Sequence, residues 1–200
     1  ETSGREASGG GTGRAGAARP HLIHRLDKDT SGLVLVAKHA YAAQWFFREQ
    51  TRGGLKRNYL ALAEGDVVTE TGYLDWPLAR EEGWSIRRLV NGSGQPARTG
   101  FQVLEHLSGH TLLNVWLETG RTHQIRAHFS HWGFPLAGDV LYGGGRALAP
   151  RQFLHAHRLA FRHPFREREM CFEAALPEDL RMALDKLRDG PGRQNAAPTA

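Results

Sequence analysis

Cysteine is almost absent: one residue in 200, Cys171, within a stretch that reads as an apolar strand. A lone thiol excludes an intramolecular disulfide and fits a reducing cytosol, so a cytoplasmic protein is expected. Long hydrophobic runs are missing as well. With no stretch of about 18 apolar residues, no transmembrane helix is expected. The N-terminus has no apolar core segment of the kind a signal peptide needs. Lysine is scarce: 4 Lys stand against 22 Arg, so the net charge of +5 rests on guanidinium groups. Guanidinium binds phosphate in a planar, bidentate way, which makes nucleic acid a reasonable partner. An arginine-rich genome would give the same balance.

Two kinds of catalytic signature are also lacking. The histidines do not make a metal site by spacing. His123 and His128 are five apart, His128 and His131 three apart, and His155 and His157 share a strand face. None is the i, i+4 pair of a zinc helix, and a cysteine cluster is missing, so no metal is expected. The G-x-S-x-G signature of a serine nucleophile is absent too.

What remains reads as a folded body between two tails. Residues 1–19 are Gly, Ala, Ser, Thr and Arg with no large apolar side chain, and 191–200 are similar. Such segments cannot offset their ordering entropy and are expected to be mobile. The body is therefore 20–190. Leu33 to Ala37 is short and continuously apolar, which predicts a strand buried on both faces. Ala42, Trp45 and Phe46 sit at helical spacing, and Gly53-Gly54 ends that helix. Strands are predicted over 59–63, 85–90, 100–107, 111–118, 153–161 and 170–174. After "ETG" the period becomes 3.6, with Thr122 as N-cap and Gly133 and Pro135 closing the helix. Leu180, Leu184 and Leu187 mark a last amphipathic helix. Strands dominate without a βαβ rhythm, so the fold class is α+β: a mixed, mostly antiparallel central sheet with a few flanking helices.

Four islands hold the candidate chemistry: "HRLDKDTSG" (24–32), "LKRNYLALAEG" (55–65), "ETGRTHQIRAHFSHWGFPLAGDVLYGG" (118–144) and "FLHAHRLAFRHP" (153–164). Asp29, Thr30, Ser31 and Gly32 are ordinary turn residues; Asp27 is not needed for that turn. Taken alone, Asp27 reads as a solvated or structural loop carboxylate rather than a catalytic one, with Arg25, two residues back, able to pair with it. Tyr59, behind Lys56 and Arg57, suits stacking on a base or simple core packing. Arg121, just before a helix N-terminus, is electrostatically awkward unless an acidic side chain or a phosphate sits beside it.

Together, in this order, the islands resemble the RluA-type RNA pseudouridine synthases over about residues 20 to 176. "HRLDKDTSGLVLVAK" resembles that family's catalytic motif, "KRNYLALAEG" its tyrosine motif, "TGRTHQIRAH" with "GFPLAGDVLYGG" its arginine motif, and "FLHAHRLAFRHP" its last motif. The resemblance implies isomerisation of chosen uridines in RNA to pseudouridine, with no cofactor and no metal. It implies that Asp27 is the catalytic aspartate. Tyr59 would stack on the target base and take part in removing a proton from it. Arg121 would pair with the catalytic carboxylate. Leu154 would line the uracil pocket, and Arg25 would contact the RNA backbone. The expected partner is RNA, ribosomal RNA ahead of transfer RNA, with the protein a monomer and no membrane involved. Family members usually carry strands with a "K-P-x-G" segment ahead of the catalytic motif, and many a small RNA-binding domain; neither is found here. The chain is accordingly expected to be a fragment, or a fold trimmed at one edge. The alternative is a truncated relative that holds RNA without isomerising it.

Overall fold

A computed structural model describes residues 19–83 and 86–189. The two expected tails therefore lie outside the described residues, apart from Arg19. The elements in chain order are β1 (His21–Leu22), β2 (Ser31–Gly32), β3 (Val36–Ala37), α1 (Ala40–Thr51), β4 (Lys56–Glu64), β5 (Thr71–Asp75), β6 (Leu78–Arg80), β7 (Arg88–Val90), β8 (Arg98–Leu107), β9 (His110–Leu117), α2 (Gln124–His131), a 3-10 turn (Val140–Tyr142), β10 (Leu154–Arg162), β11 (Glu169–Glu173) and α3 (Glu178–Arg188). No helix among them is long and apolar enough to cross a membrane.

The main sheet runs in the order β11-β10-β4-β9-β8-β5, antiparallel throughout. A mixed character comes from one short parallel pair, β2 with β10, which matches Ser31 to His155 and Gly32 to Ala156. One edge of β10 pairs with β4; the other carries β11 over Arg158–Arg162 and β2 at His155–Ala156. The α+β reading of the sequence holds.

The centre of the sheet is covered on both faces. Along β4 the side chains alternate, so Tyr59, Ala61 and Ala63 pack with Phe101, Leu113, Ile125, Phe129 and Leu154 on the α2 side. Leu62 faces the other way and packs with Phe153, Leu180 and Leu184 beneath α3. Burying a Leu or Phe side chain fully is worth roughly 1.5–3 kcal/mol, which explains why the stretch Tyr59 to Ala63 of β4 carries no polar spacer. Helix α1 closes a third cluster through Ala42, Ala43 and Phe46, the last meeting Phe161 edge to face at 5.0 Å. His39 caps α1 by accepting from the Ala42 N–H at 3.2 Å, and Gly53, at φ 76°, turns the chain out of it.

Three expectations change. Leu33 to Ala37 is not a strand buried on both faces. Leu33 and Leu35 pack toward the α1 cluster, while Val34 and Val36 are 40% and 45% exposed. The run lies outside the main sheet, so only one side finds a partner. Thr122 does not cap α2. The cap residue is His123, at φ 55° with no capping side chain, and the Gln124 amide oxygen reaches back to accept from the Arg121 N–H at 2.9 Å. Cys171 lies on β11 as expected, but exposed, because β11 is an edge strand with few inward side chains.

The β2–β10 contact positions the loop that carries Asp27. Gly32 lies at φ 117°, and a β-carbon there would run into the carbonyl of Ala156. Only glycine tolerates that conformation without strain. Gly32→Ala should therefore cost about 3 kcal/mol in chemical unfolding and loosen the preceding loop.

Candidate active site

The loop from Asp27 to Thr30 closes as a turn, with the Thr30 N–H donating to the Asp27 carbonyl at 3.0 Å and Asp29 at φ 68°. It is held from the far end of the chain. Arg151 donates to the Asp29 carbonyl at 2.7 Å and to Ser31 Oγ at 3.3 Å, and is itself fixed by Asp179 at 2.7 Å. The Gln152 amide donates to the Lys28 carbonyl and to Thr30 Oγ1. His155 faces the Ala174 carbonyl through Nε2 at 3.2 Å and Ser31 Oγ through Nδ1 at 2.9 Å. A carbonyl only accepts, so Nε2 carries the proton and the Ser31 hydroxyl donates to Nδ1. The loop is thus docked to β10 by side chains on both flanks.

This loop forms one wall of a cleft of about 260 Å³. The floor is apolar: Tyr59 from β4, Leu117 from β9, Ile125 from α2, Leu154 at the start of β10, and Leu26 beside the turn. Among the described residues Asp27 is the only acid lining it; Arg25, Arg57 and Arg121 are the cations. Asp27, Tyr59, Arg121, Arg25 and Leu154, scattered over 130 residues of sequence, are brought to this one cleft.

The ion pair is not the expected one. Arg121 is exposed and donates from Nε to the Pro96 carbonyl at 3.1 Å. The guanidinium beside Asp27 belongs to Arg126, with Nη1 at 3.7 Å from Oδ2. Arg121 precedes α2 and is drawn outward, whereas Arg126 projects from the buried side of the helix. Arg126 is gripped in bidentate fashion by Asp139, at 2.6 Å and 2.7 Å, and lies over the Tyr142 ring at 5.0 Å. Asp139 is 1% exposed. Burial opposes the charge of Arg126, but the hydrogen bonds and charge of Asp139, with the charge of Asp27, outweigh it and hold the guanidinium above its ordinary range. The Tyr142 hydroxyl accepts from the Arg88 N–H at 2.9 Å and meets His123 Nδ1 at 3.1 Å. Asp139 takes the two short hydrogen bonds and leaves Asp27 an ion-pair contact at 3.7 Å. Asp27 is therefore oriented by a fixed cation while its lone pairs stay open to the cleft.

Sequence reasoning missed Arg126, Asp139 and the clamp of Arg151 and Gln152. Asp139 stood inside a quoted motif, "GFPLAGDVLYGG", with no role attached. An aspartate in an apolar, glycine-rich segment was the available signal of a buried acid needing a cation. The histidines serve the fold: His128 Nε2 meets the Trp76 carbonyl at 2.9 Å, and His155 holds Ser31. No group of three or more His, Cys, Asp and Glu side chains among the described residues is disposed to hold a metal ion.

Burial pushes the Tyr59 phenol up, Arg57 partly countering and Asp27 adding to it, so the phenol is neutral at physiological pH. Burial also holds His24, His123, His128, His155 and His157 below the usual imidazole range. His24 goes furthest, to about 4, with the charge of Arg57 adding to burial. An unfolded chain protonates these rings near 6.5 and the folded chain resists, so the unfolded state binds more protons in between. Stability is full above pH 6.5 and falls as pH drops toward 4. The surface residue His106, raised by Glu70 and Asp66, acts in the opposite sense. The melting temperature should drop by ~5 °C or more across that acid window. His24→Gln should flatten its lower part, which scanning calorimetry at stepped pH would read.

A family model described as RNA pseudouridylate synthase matches residues 12–131, which include Asp27, Tyr59, Arg121 and Arg126. The chain belongs to the RNA pseudouridylate synthase family. An uncharacterized RNA pseudouridine synthase of Bacillus subtilis is 45% identical over 163 residues, which cover 82% of this chain and 58% of the relative. The ribosomal large subunit pseudouridine synthase D of Nitrosomonas europaea is 40% identical over 189 residues, covering 90% of this chain and 55% of that protein. The chain thus spans a little over half the length of these pseudouridine synthases. Among solved structures, human RNA pseudouridylate synthase domain containing 4 superposes with a TM-score of 0.70 at 25% identity, covering 86% of this chain and 77% of that one. Its counterpart, domain containing 1, gives 0.67 at 27% identity, covering 88% and 83%.

Proposed function

We propose that the chain isomerises selected uridines in RNA to pseudouridine, with Asp27 as the catalytic carboxylate. One observation carries this: among the described residues Asp27 is the only acid on a cleft whose floor is an aromatic ring and aliphatic side chains. Such a floor suits a planar base. In the reaction the bond between ribose C1′ and uracil N1 breaks, the base turns, and a bond forms between C1′ and C5. The C5 proton is lost and N1 gains one. Asp27 as a carboxylate either attacks C1′ and is later displaced, or removes a ribose proton to give a glycal and returns it as C1′ bonds C5. Arg126 keeps that carboxylate aimed, and the Leu154 wall retains the detached base. Tyr59 acts first by stacking, since a buried neutral phenol is a poor base until the proton on its oxygen is passed on. Arg25 and Arg121, at the rim, contact RNA phosphates. No step draws on a metal or cofactor.

The favoured substrate is large-subunit ribosomal RNA, because relatives of 40% identity carry that name; transfer RNA is the second choice. Unmodified bulk ribosomal and transfer RNA, incubated with the chain and mapped by a pseudouridine-specific chemical read-out, should gain discrete sites in the former. RNA bound without any new site would instead make the chain a binding module.

A further inference from the structure

Arg57 is out of place for a folded protein. It sits on β4, two residues before Tyr59, and is 6% exposed. Among the described residues no carboxylate pairs with it and no acceptor takes its N–H groups; its Nε is buried without a partner. Burial lowers its pKa, and the Tyr59 oxygen is the one group offsetting that. The one other buried arginine among the described residues, Arg126, has Asp139. A buried cation left alone is expensive, and chains keep one where a ligand supplies the counter-charge.

The surroundings say where that ligand lies. Arg57 and Arg121 line both the cleft of Asp27 and a second groove of about 430 Å³ that opens beside the C-terminal end of α1 at Phe47, Gln50 and Thr51. Gly120 belongs to both spaces, and a β-carbon there would stand 3.2 Å from Arg57 Nη1. The cleft and the groove together carry Arg25, Arg57 and Arg121 against Asp27 and Glu118, a net of +1 with Glu118 itself held by Arg98 at 3.3 Å, and the low pKa of His24 keeps that ring neutral. Asp27 is already engaged by Arg126, so it does not neutralise Arg57.

We infer that Arg57 anchors a phosphodiester subsite at the junction of the cleft and this groove, holding the phosphate next to the nucleotide whose base enters the cleft. The groove beside α1 then carries the adjoining RNA strand, with Arg121 as an outer contact and Gly120 leaving room for the phosphate. A phosphate accepts two parallel N–H bonds from one guanidinium, the pairing a lone buried arginine lacks. The inference rests on the RNA reading above and deepens it.

The test titrates the chain with inorganic phosphate, uridine, uridine 5′-monophosphate and uridine 3′-monophosphate, following affinities and the Arg57 Nε–Hε resonance. Phosphate should shift that resonance. One monophosphate should bind about tenfold tighter than uridine, and which one does identifies the flanking phosphate. Arg57→Gln should erase the advantage while leaving uridine binding within about twofold, and Arg57→Lys should keep part of it. Thermal unfolding of Arg57→Gln should be unchanged or higher, since an unpaired charge is removed; a lower value would make the guanidinium structural and overturn the inference. Equal binding of uridine and both monophosphates would also overturn it, as would an advantage surviving Arg57→Gln. A phosphate response without uridine binding would uphold the subsite and sink the uridine reading of the cleft.

Discussion

Asp27→Asn should lower pseudouridine formation by ~10⁴-fold or more while RNA binding stays within about threefold. Asparagine keeps the shape of the side chain and removes the charge. A neutral amide neither attacks C1′ nor takes a ribose proton, and no second acid among the described residues lines the cleft to replace it. Binding should survive because its electrostatic part comes from the arginines at the rim. Folding should survive as well. The Arg126–Asp27 contact is long, at 3.7 Å, and Arg126 retains Asp139. Turnover by Asp27→Asn near the wild-type rate would end the proposal, and single-turnover assays on ribosomal RNA would read it directly.

Arg126 should prove the critical arginine, with Arg121 secondary. Arg126→Met leaves Asp139 buried at 1% exposure without its cation. Breaking a buried pair from one side costs roughly 3–5 kcal/mol. Turnover should fall ~100-fold or more as Asp27 loses its orienting charge. The double variant Arg126→Met, Asp139→Leu separates the two effects. It removes the orphaned charge and should regain most of the stability, but not the turnover. Recovery of both would mean that Arg126 acts only through folding. Arg121→Ala, by contrast, should cost less than about tenfold, chiefly in RNA affinity, and flatten the salt dependence of binding by about one ion. Denaturant melts with kcat and KM for the three variants would decide the order.

These two arginines show where sequence patterns stop. They are five residues apart in "GRTHQIRAH", and both are charged and close to a helix start. Arg121 drew attention through an unfavourable dipole, and it answers that by reaching the Pro96 carbonyl. Nothing in the local spacing said that α2 would be buried along Gln124 to Phe129, turning Arg126 inward. The choice was made by Asp139, which lies beyond the helix and arrives there only when the chain packs.

The regular elements divide in the same way. β4, β8, β9, β10 and the three helices were readable because their apolar residues recur at strand or helix period. β5 was not read: Leu74 is its one buried side chain, and Tyr73 stays 49% exposed at the sheet edge. Leu33 to Ala37 was misread because an apolar run reports preference for burial but not whether a second layer exists to provide it.

The residues that gather at the cleft were pointed to by the family resemblance of the four islands; local chemistry sufficed for the α+β class and the turn after Asp27. Those follow from hydrophobic period and residue type, which are written along the backbone. Folding in space decided which arginine meets Asp27, that Arg151 and Gln152 clamp its loop, and that Arg57 is buried with no acid beside it. Charge pairing and the clamping of the loop depend on distances across 13 to 124 residues of chain. Such distances exist only once the sheet and helices have closed around the cleft.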